Sequence, residues 1–342
     1  MNLDVLGEFA GQPVWLWCAF LAFVGFVLWL DLAVINNKDG TVSARKSALM
    51  WSGFAFCAIV FAGYIYFIYE PDPAFYQSPH DLNAQATVQY LTGYLLETAL
   101  AFDNIFVIAM IFGLFAIPPG YQHRVLFWGI IGAIVFRAIF IGAGAAIVNQ
   151  LTWVLYIFAA ILVFSGIKML TSASKPHETP DAGWIVRLVE RFIPVTQEIR
   201  NHNFFVRMPD SAGRMVLFAT PLFLALATVE VADIIFAVDS VPAIFAVTQD
   251  PFIVYTSNIF AILGLRSLYF MLAAAADRFK YLKLGLAAVL VLIGVKIIWN
   301  FLLSKELKLV PYLEPHWSLI ATLVLVGGSI LLSMVLTRKR IG

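Results

Sequence analysis

Apolar residues in this chain run on in long blocks instead of alternating with polar ones. Nine blocks are mostly apolar over about 20 residues or more, the length a helix needs to cross the hydrocarbon core of a bilayer. They are 13–35, 46–68, 86–116, 124–148, 150–170, 215–248, 252–275, 281–303 and 317–336. The blocks at 86–116 and 215–248 are longer than a span requires, which predicts a tilted, broken or partly re-entrant helix in each.

One long polar segment, 171–214, separates the fifth block from the sixth. Within it Trp184, Leu188 and Phe192 recur at i, i+4 and i+8, with Arg187, Glu190 and Arg191 between them. That pattern predicts an amphipathic helix at the membrane surface, serving as an interfacial linker or as a gate or partner-docking element. The run FFVRMPDSAGRMV then places two short β-prone stretches around a turn signal, which predicts a small hairpin.

Composition agrees with the blocks. Of 342 residues, 61% are hydrophobic and 13% charged, against about 45–50% and about 25% in soluble domains. This excludes a soluble enzyme, a disordered chain and a nucleic-acid binder, and predicts an all-α polytopic membrane protein. The net charge of +1 identifies no partner. Cys18 and Cys57 both lie in apolar blocks without a CxxC pattern, and read as packing residues. The first residues carry no Lys or Arg, so block 13–35 reads as a retained helix, not a signal peptide.

The placement of the charges says more than their number. Of 22 Lys and Arg residues, 16 fall in loops on one side of the predicted spans and 2, Lys305 and Lys308, on the other. Four, Arg137, Lys168, Arg266 and Lys296, fall inside spans. The positive-inside rule makes the rich side cytoplasmic, with the N-terminus outside and the C-terminus inside. Lys168 lies near a span end and can snorkel, and Lys296 can do so outward. Asp31 is placed at the interface.

Two segments resemble each other. ETALAFDNIFVI in the third block and DIIFAVDSVPAI in the sixth share an acid-x5-Asp pattern, which pairs Glu97 with Asp233, Asp103 with Asp239 and Asn104 with Ser240. The following blocks align GAIVFRAIFI with AILGLRSLYF, pairing Arg137 with Arg266, and LVFSGIKML with LVLIGVKII, pairing Lys168 with Lys296. Helices 3–5 and 6–8 therefore read as two copies of a three-helix unit. An odd number of crossings per unit inverts the second copy, as in secondary transporters with a substrate site near the midplane. The whole chain reads as one membrane domain: two N-terminal helices (13–68), repeat A (86–170), the cytoplasmic loop (171–214), repeat B (215–303) and a C-terminal helix (317–336).

An ionisable side chain at the bilayer centre costs at least about 2.5–3.5 kcal/mol. Glu97, Asp103, Glu230, Asp233, Asp239, Arg137 and Arg266 all lie well inside spans. Five acids exceed two arginines, so the surplus calls for protons, a cation or solvent. Glu97 shares a helix face with Asn104, Asp233 with Ser240, and Glu230 with Asp233. Asp103 and Asp239 sit about 120° from Glu97 and Asp233 on a straight helix. Convergence of all four predicts an unwound helix or a neighbour that bends in. Pro242 leaves the carbonyl of Val238 without its helical donor, which frees a backbone oxygen beside Asp239, a break that membranes tolerate where it lines a cavity. All five histidines (80, 123, 177, 202 and 316) are placed in loops. The ligands left are carboxylate, amide, hydroxyl and backbone oxygens, which suit Mn²⁺, Mg²⁺ or Ca²⁺, and the acids also permit proton exchange. An intramembrane aspartyl protease would need a GxGD context where AFDN and AVDS stand, and neither HExxH nor GxSxG occurs. The chain thus reads as a non-enzyme without a resident cofactor.

The run ATPLFLALATVEVADIIFAVDSVPAIFAVTQDPFIVYTSNIFAILGLRSLYFML, with GYLLETALAFDNIFV and WLDLAVIN before it, resembles the TerC family of bacterial integral membrane proteins, and more closely its Alx-like branch. The resemblance extends from about residue 15 to about residue 335. It implies a bacterial inner-membrane protein linked either to Mn²⁺ export or to tellurium resistance and redox modulation. It also implies that the acidic motifs fall on Glu97, Asp103, Asn104, Glu230, Asp233, Asp239 and Ser240. Tellurite is an anion and would want a basic pocket, and a redox role would want a thiol pair, so the residue chemistry leans to manganese. The expected function is a secondary transporter exporting Mn²⁺, with protons as a possible coupling ion and the lipid bilayer as surroundings. Arg137 and Arg266 would pair with acids when no ion is bound. The alternative is a non-transporting membrane stress factor. Oligomeric state is left open.

Overall fold

The computed structural model describes residues 7–35, 44–76, 81–151, 153–172, 183–209, 213–272 and 281–338; the side chains of 31–35, 44, 103, 149, 172, 282, 283, 301, 305, 334 and 336–338 lie outside the described set. Two short strands, β1 (Glu8–Phe9) and β2 (Gln12–Pro13), pair ahead of α1 (Val14–Ile35) and α2 (Ala44–Phe67). The bundle continues with α3 (Leu82–Leu114), α4 (Pro119–Gln150) and α5 (Val154–Ser172). A short α6 (Gly183–Glu190) and the hairpin β3 (Phe205–Pro209) and β4 (Met215–Ala219) follow. Then come α7 (Pro221–Val247), α8 (Pro251–Leu263), α9 (Leu265–Leu272), α10 (Leu282–Ile297) and α11 (Pro315–Arg338). Among the described residues eight helices are long and apolar enough to cross a membrane, and Val14–Leu30 is a shorter apolar one. The protein is an all-α polytopic membrane protein.

Helix starts are written in proline. α4, α7, α8 and α11 each begin at one, where the missing N–H would have had no helical partner anyway. This pulls α4 and α11 upstream of their apolar blocks. His123 and His316 therefore lie near the starts of α4 and α11, not in loops, while His80 and His177 lie outside the described residues. Conversely, 215–219 is strand instead of the first turn of a span. The predicted hairpin is present, although residues 210–212 of its turn lie outside the described residues. α6 exposes Trp184 and Leu188 and, just beyond it, Phe192, and buries Ile185.

The two overlong helices are neither broken nor re-entrant. α3 runs 33 residues, about 50 Å at 1.5 Å per residue, and so outreaches a hydrocarbon core of about 30 Å. α7 continues through Pro242, because its neighbours α4 and α5 hold it on either side of the single missing bond. The interruptions fall elsewhere. Gly264 separates α8 from α9, and α10 loosens into a π-helical stretch, Ile298–Glu306.

The packing places the acids inside. Every residue of α8 is buried, and α3 packs against it. α2, α5 and α11 turn apolar side chains such as Phe56, Phe164 and Leu331 outward, as lipid-facing helices do. The principal partners are α3 with α8, α4 with α7, and α5 with α10. The last contact is reciprocal. A Cβ on Gly166 would lie 2.6 Å from Val291 Cγ2 and 2.8 Å from the Ala287 carbonyl; one on Gly294 would lie 2.8 Å from Val163 Cγ2 and 2.9 Å from the Ala159 carbonyl. The two helices thus approach backbone to backbone at glycines that hold equivalent places in LVFSGIKML and LVLIGVKII, as small residues allow in membranes.

Gly166→Ala and Gly294→Ala should each destabilise the purified protein by about 1–3 kcal/mol through overpacking. Gly142→Ala, where nothing lies within 4 Å of the new methyl group, should be neutral or stabilising. Thermal unfolding in detergent reads all three, and equal effects at the three positions would count against the reciprocal contact.

Candidate functional site

Arg137 of α4 is only 1% exposed. A guanidinium cannot be discharged by any ordinary environment, so a buried one must be met by counter-charges and acceptors. Three helices supply them. Glu97 of α3, itself 2% exposed, forms an ion pair and hydrogen bond with Arg137 Nη1. Asp233 Oδ1 of α7 lies 3.4 Å from Nη2. The same Nη1 donates to Asn258 Oδ1 of α8 at 2.8 Å. Asn258 is held in that orientation because its amide nitrogen donates to the Val254 carbonyl at 2.9 Å. One cation therefore stands between two carboxylates where four helices meet. Asn258 escaped sequence reasoning: an asparagine in an apolar block carries no charge signal, and its role follows only from the packing of α8 on α3 and α4.

The acids keep unused capacity. Asp233 Oδ2 and Glu230 Oε2 are buried without a hydrogen-bond partner among the described residues. Beside Asp233 lies a small cavity of about 30 Å³, lined by Asn104, Gly129, Ala133, Val229 and Ile262 among others; that is room for about one water-sized particle. Glu230, one turn before Asp233, rests its carboxylate directly on Gly132 of α4, where any Cβ would collide with it. Glycine at that position is what lets the acid approach the α4 backbone.

The remaining predicted residues do not all join this centre. Asp239 lies six residues beyond Asp233, about 9 Å along the helix, and accepts a hydrogen bond from Ser165 Oγ of α5 at 2.7 Å. Ser240 and Asn104 are buried, and the Ser240 hydroxyl has no partner among the described residues. Arg266 of α9 is as buried as Arg137. The side chains of Asp103 and Asp31 lie outside the described residues, though the helix is continuous through both. Neither α3 nor α7 unwinds, Asp239 is engaged by α5 apart from the Arg137 centre, and among the described residues no three of His, Cys, Asp and Glu form a ready metal cage. Lys168 is exposed, as a snorkelling lysine is, whereas Lys296 is buried in α10.

A second buried acid, Asp250, was passed over in the sequence because it caps a helix at a block boundary. Its Oδ1 accepts from the backbone N–H groups of Phe252 and Ile253, and its Oδ2 from the hydroxyls of Tyr69 and Tyr76, both at 2.9 Å. Burial lifts the Asp250 carboxyl above its ordinary range, against the pull of those hydrogen bonds. Burial and the adjoining carboxylate keep both tyrosines protonated.

Arg137→Gln strands two buried carboxylates and should cost about 3–5 kcal/mol of stability. Adding Glu97→Gln should return a good part of that loss. A double-mutant cycle on thermal unfolding reads the coupling, and strictly additive losses would remove Glu97 from the Arg137 partnership.

The family model described as "Integral membrane protein TerC family" matches residues 82–341. Among curated proteins, "Uncharacterized membrane protein STKORF319" of Myxococcus xanthus is 44% identical over 324 residues, covering 94% of this chain and 93% of that one. A Rickettsia felis membrane protein is 39% identical over 93% of this chain and 97% of its own length. The protein named "Putative membrane-bound redox modulator Alx" of Escherichia coli K12 is 42% identical over 84% of this chain and 86% of its own. No solved structure matches.

Proposed function

The chain belongs to the TerC family of integral membrane proteins, and from that premise we propose that it is a secondary transporter that exports a divalent cation, Mn²⁺ foremost. The observation that carries the proposal is Arg137 held between Glu97 and Asp233 in the enclosed centre of the bundle, beside a cavity and two carboxylate oxygens without partners. In this reading the guanidinium occupies the place of the transported ion in the empty state. A divalent cation displaces it and takes oxygens from Glu97 and Asp233, and Asp103 and Asp239, six residues further along α3 and α7, receive it at a second point of the path. Asn104, Ser240 and Asn258 complete or orient the shell, and Glu230 serves as a further ligand or carries a proton in exchange. Arg266 plays the counter-charge role in the second half of the molecule. Carboxylate and amide oxygens suit a hard or borderline ion, and an internal arginine that replaces the departing cation spares the acids an uncompensated charge in a low dielectric.

The packing of α3 with α8 against α7 with α4, and the reciprocal glycines of α5 and α10, support two inverted three-helix units. An exchange of such units is how alternating access arises around a midplane site. In this reading the C-terminus lies in the bacterial cytoplasm, the N-terminus outside and the transport path across the inner membrane, an orientation supported by the concentration of Lys and Arg in the loops of one side.

The rival reading, a non-transporting factor in tellurite resistance or redox modulation, is favoured by the printed name of some relatives. The redox form of it finds no CxxC motif in the sequence, where Cys18 and Cys57 stand in separate apolar helices, α1 and α2. In a host lacking its own manganese exporters, the protein should relieve Mn²⁺ sensitivity. Asp103→Asn and Asp239→Asn should each abolish that relief at unchanged membrane abundance. Full protection by both variants would mean that the site is misassigned.

A further inference from the structure

A second cavity, about 370 Å³, opens at the end of the bundle where α3, α8 and α11 begin and α7 ends. This is the face opposite the arginine-rich loops. Its polar lining is made of amides and hydroxyls: Gln85, Gln89, Thr248, Gln249, Tyr76 and Tyr312. No charged side chain lines it among the described residues.

Two of its walls are fixed in place. Tyr76 is tied through its hydroxyl to Asp250, which also caps α8. The segment carrying Tyr312 is clamped by Asn300, which donates to the Leu313 carbonyl and accepts from the Leu313 N–H at 2.9 and 2.8 Å. Gln89 is 6% exposed, and its side-chain carbonyl is buried without a partner among the described residues. An unsatisfied acceptor of that kind costs about 1–3 kcal/mol unless a water or ligand meets it.

The inner boundary of the cavity is apolar. Phe245 of α7, 2% exposed, lines it. The ring presses on α4 so closely that a Cβ on Gly144 would lie 2.6 Å from Phe245 Cε2. The preceding residue, Ile244, meets Gly93 of α3 more tightly still. Ser240 lies five residues deeper on the same helix, about 7.5 Å along its axis, with Asp239 next to it. Glycines on two helices thus form a seat for the Ile244–Phe245 pair between the open cavity and the acids.

The two cavities differ in what they can hold. Small divalent cations such as Mg²⁺ and Mn²⁺ keep about six waters until strong ligands replace them. Six waters occupy about 180 Å³ at about 30 Å³ each. The cavity beside Asp233 has space for a stripped ion only, and the end cavity has space for an ion with its whole shell. With no carboxylate beside them, amides and hydroxyls do not outcompete the waters of a small divalent ion, and they meet its hydration shell instead.

We propose that the Gln89–Gln249–Tyr312 cavity is a binding site for a hydrated divalent cation, and that Phe245, seated on Gly144, is the closed gate between it and the acids. The proposal rests on the transporter reading for its place in a path, but the site and the gate are testable without transport.

The experiment uses the full chain with Cys18→Ser and Cys57→Ala, carrying Ala246→Cys, which lines the cavity without offering it a ligand, or Ser240→Cys, in sealed vesicles. A membrane-impermeant cationic thiol reagent is added on the side of the cavity. Ala246→Cys should react readily. MnCl₂ should slow that reaction several-fold, and choline chloride of equal ionic strength should not. Ser240→Cys should be silent while Phe245 is intact and become reactive in Phe245→Ala. An Ala246→Cys rate indifferent to Mn²⁺ would overturn the site. A reactive Ser240→Cys behind an intact Phe245 would overturn the gate, and this arm does not depend on Phe245→Ala folding. If protection and silence hold while the unmodified protein moves no Mn²⁺, the site and gate stand and the transporter reading falls.

Discussion

A permanently charged guanidinium in the centre of a membrane bundle constrains everything near it. Arg137 has no neutral form to retreat to, so four helices must hold acceptors around it at once: Glu97 from α3, Asp233 from α7 and Asn258 from α8, with α4 bearing the charge itself. The cost of burial, several kcal/mol per ion, is offset only while that geometry persists. The arrangement is therefore structural before it is anything else, since it ties four helices to one charge. The wholly buried α8, which supplies Asn258, belongs to this arrangement, and Glu230 rests on Gly132 of the helix that bears the charge.

Small residues set the distances at which this machinery works. Gly166 and Gly294 bring α5 and α10 together in a contact that reads the same from either side. Gly132 admits a carboxylate to the backbone of α4, and Gly93 and Gly144 admit Ile244 and Phe245. Lipid gives helices no hydrophobic reason to associate, so close packing at small residues and buried polar contacts carry the load.

Much of this was legible in the sequence, for identifiable reasons. The spans and the buried acids were legible because hydrocarbon penalises charge so heavily that any exception stands out, and Arg137 was matched to acids on that ground alone. The amphipathic stretch at Trp184 and the hairpin beyond it were carried by local periodicity. What failed was everything decided by packing. Pro242 suggested an unwound helix, yet one missing hydrogen bond is a small loss against the contacts that hold α7. The interruption fell at Gly264, which looked unremarkable in an apolar run. Ser165 and Asn258 are uncharged, and their partnership with Asp239 and Arg137 depends on which helices meet, a fact no local pattern contains. Asp250 was overlooked because an acid at a block boundary usually faces water, whereas here two tyrosines from a distant segment close over it.

The central claim is that the acids around Arg137 pass a divalent cation across the membrane. It is tested most directly by reconstituting the purified protein in proteoliposomes with an internal Mn²⁺ reporter. The account predicts Mn²⁺ movement above that of protein-free vesicles, dependent on pH, and lost in Glu97→Gln protein reconstituted to the same density. Movement no greater than in empty vesicles at every pH, or equal movement by Glu97→Gln, would contradict it.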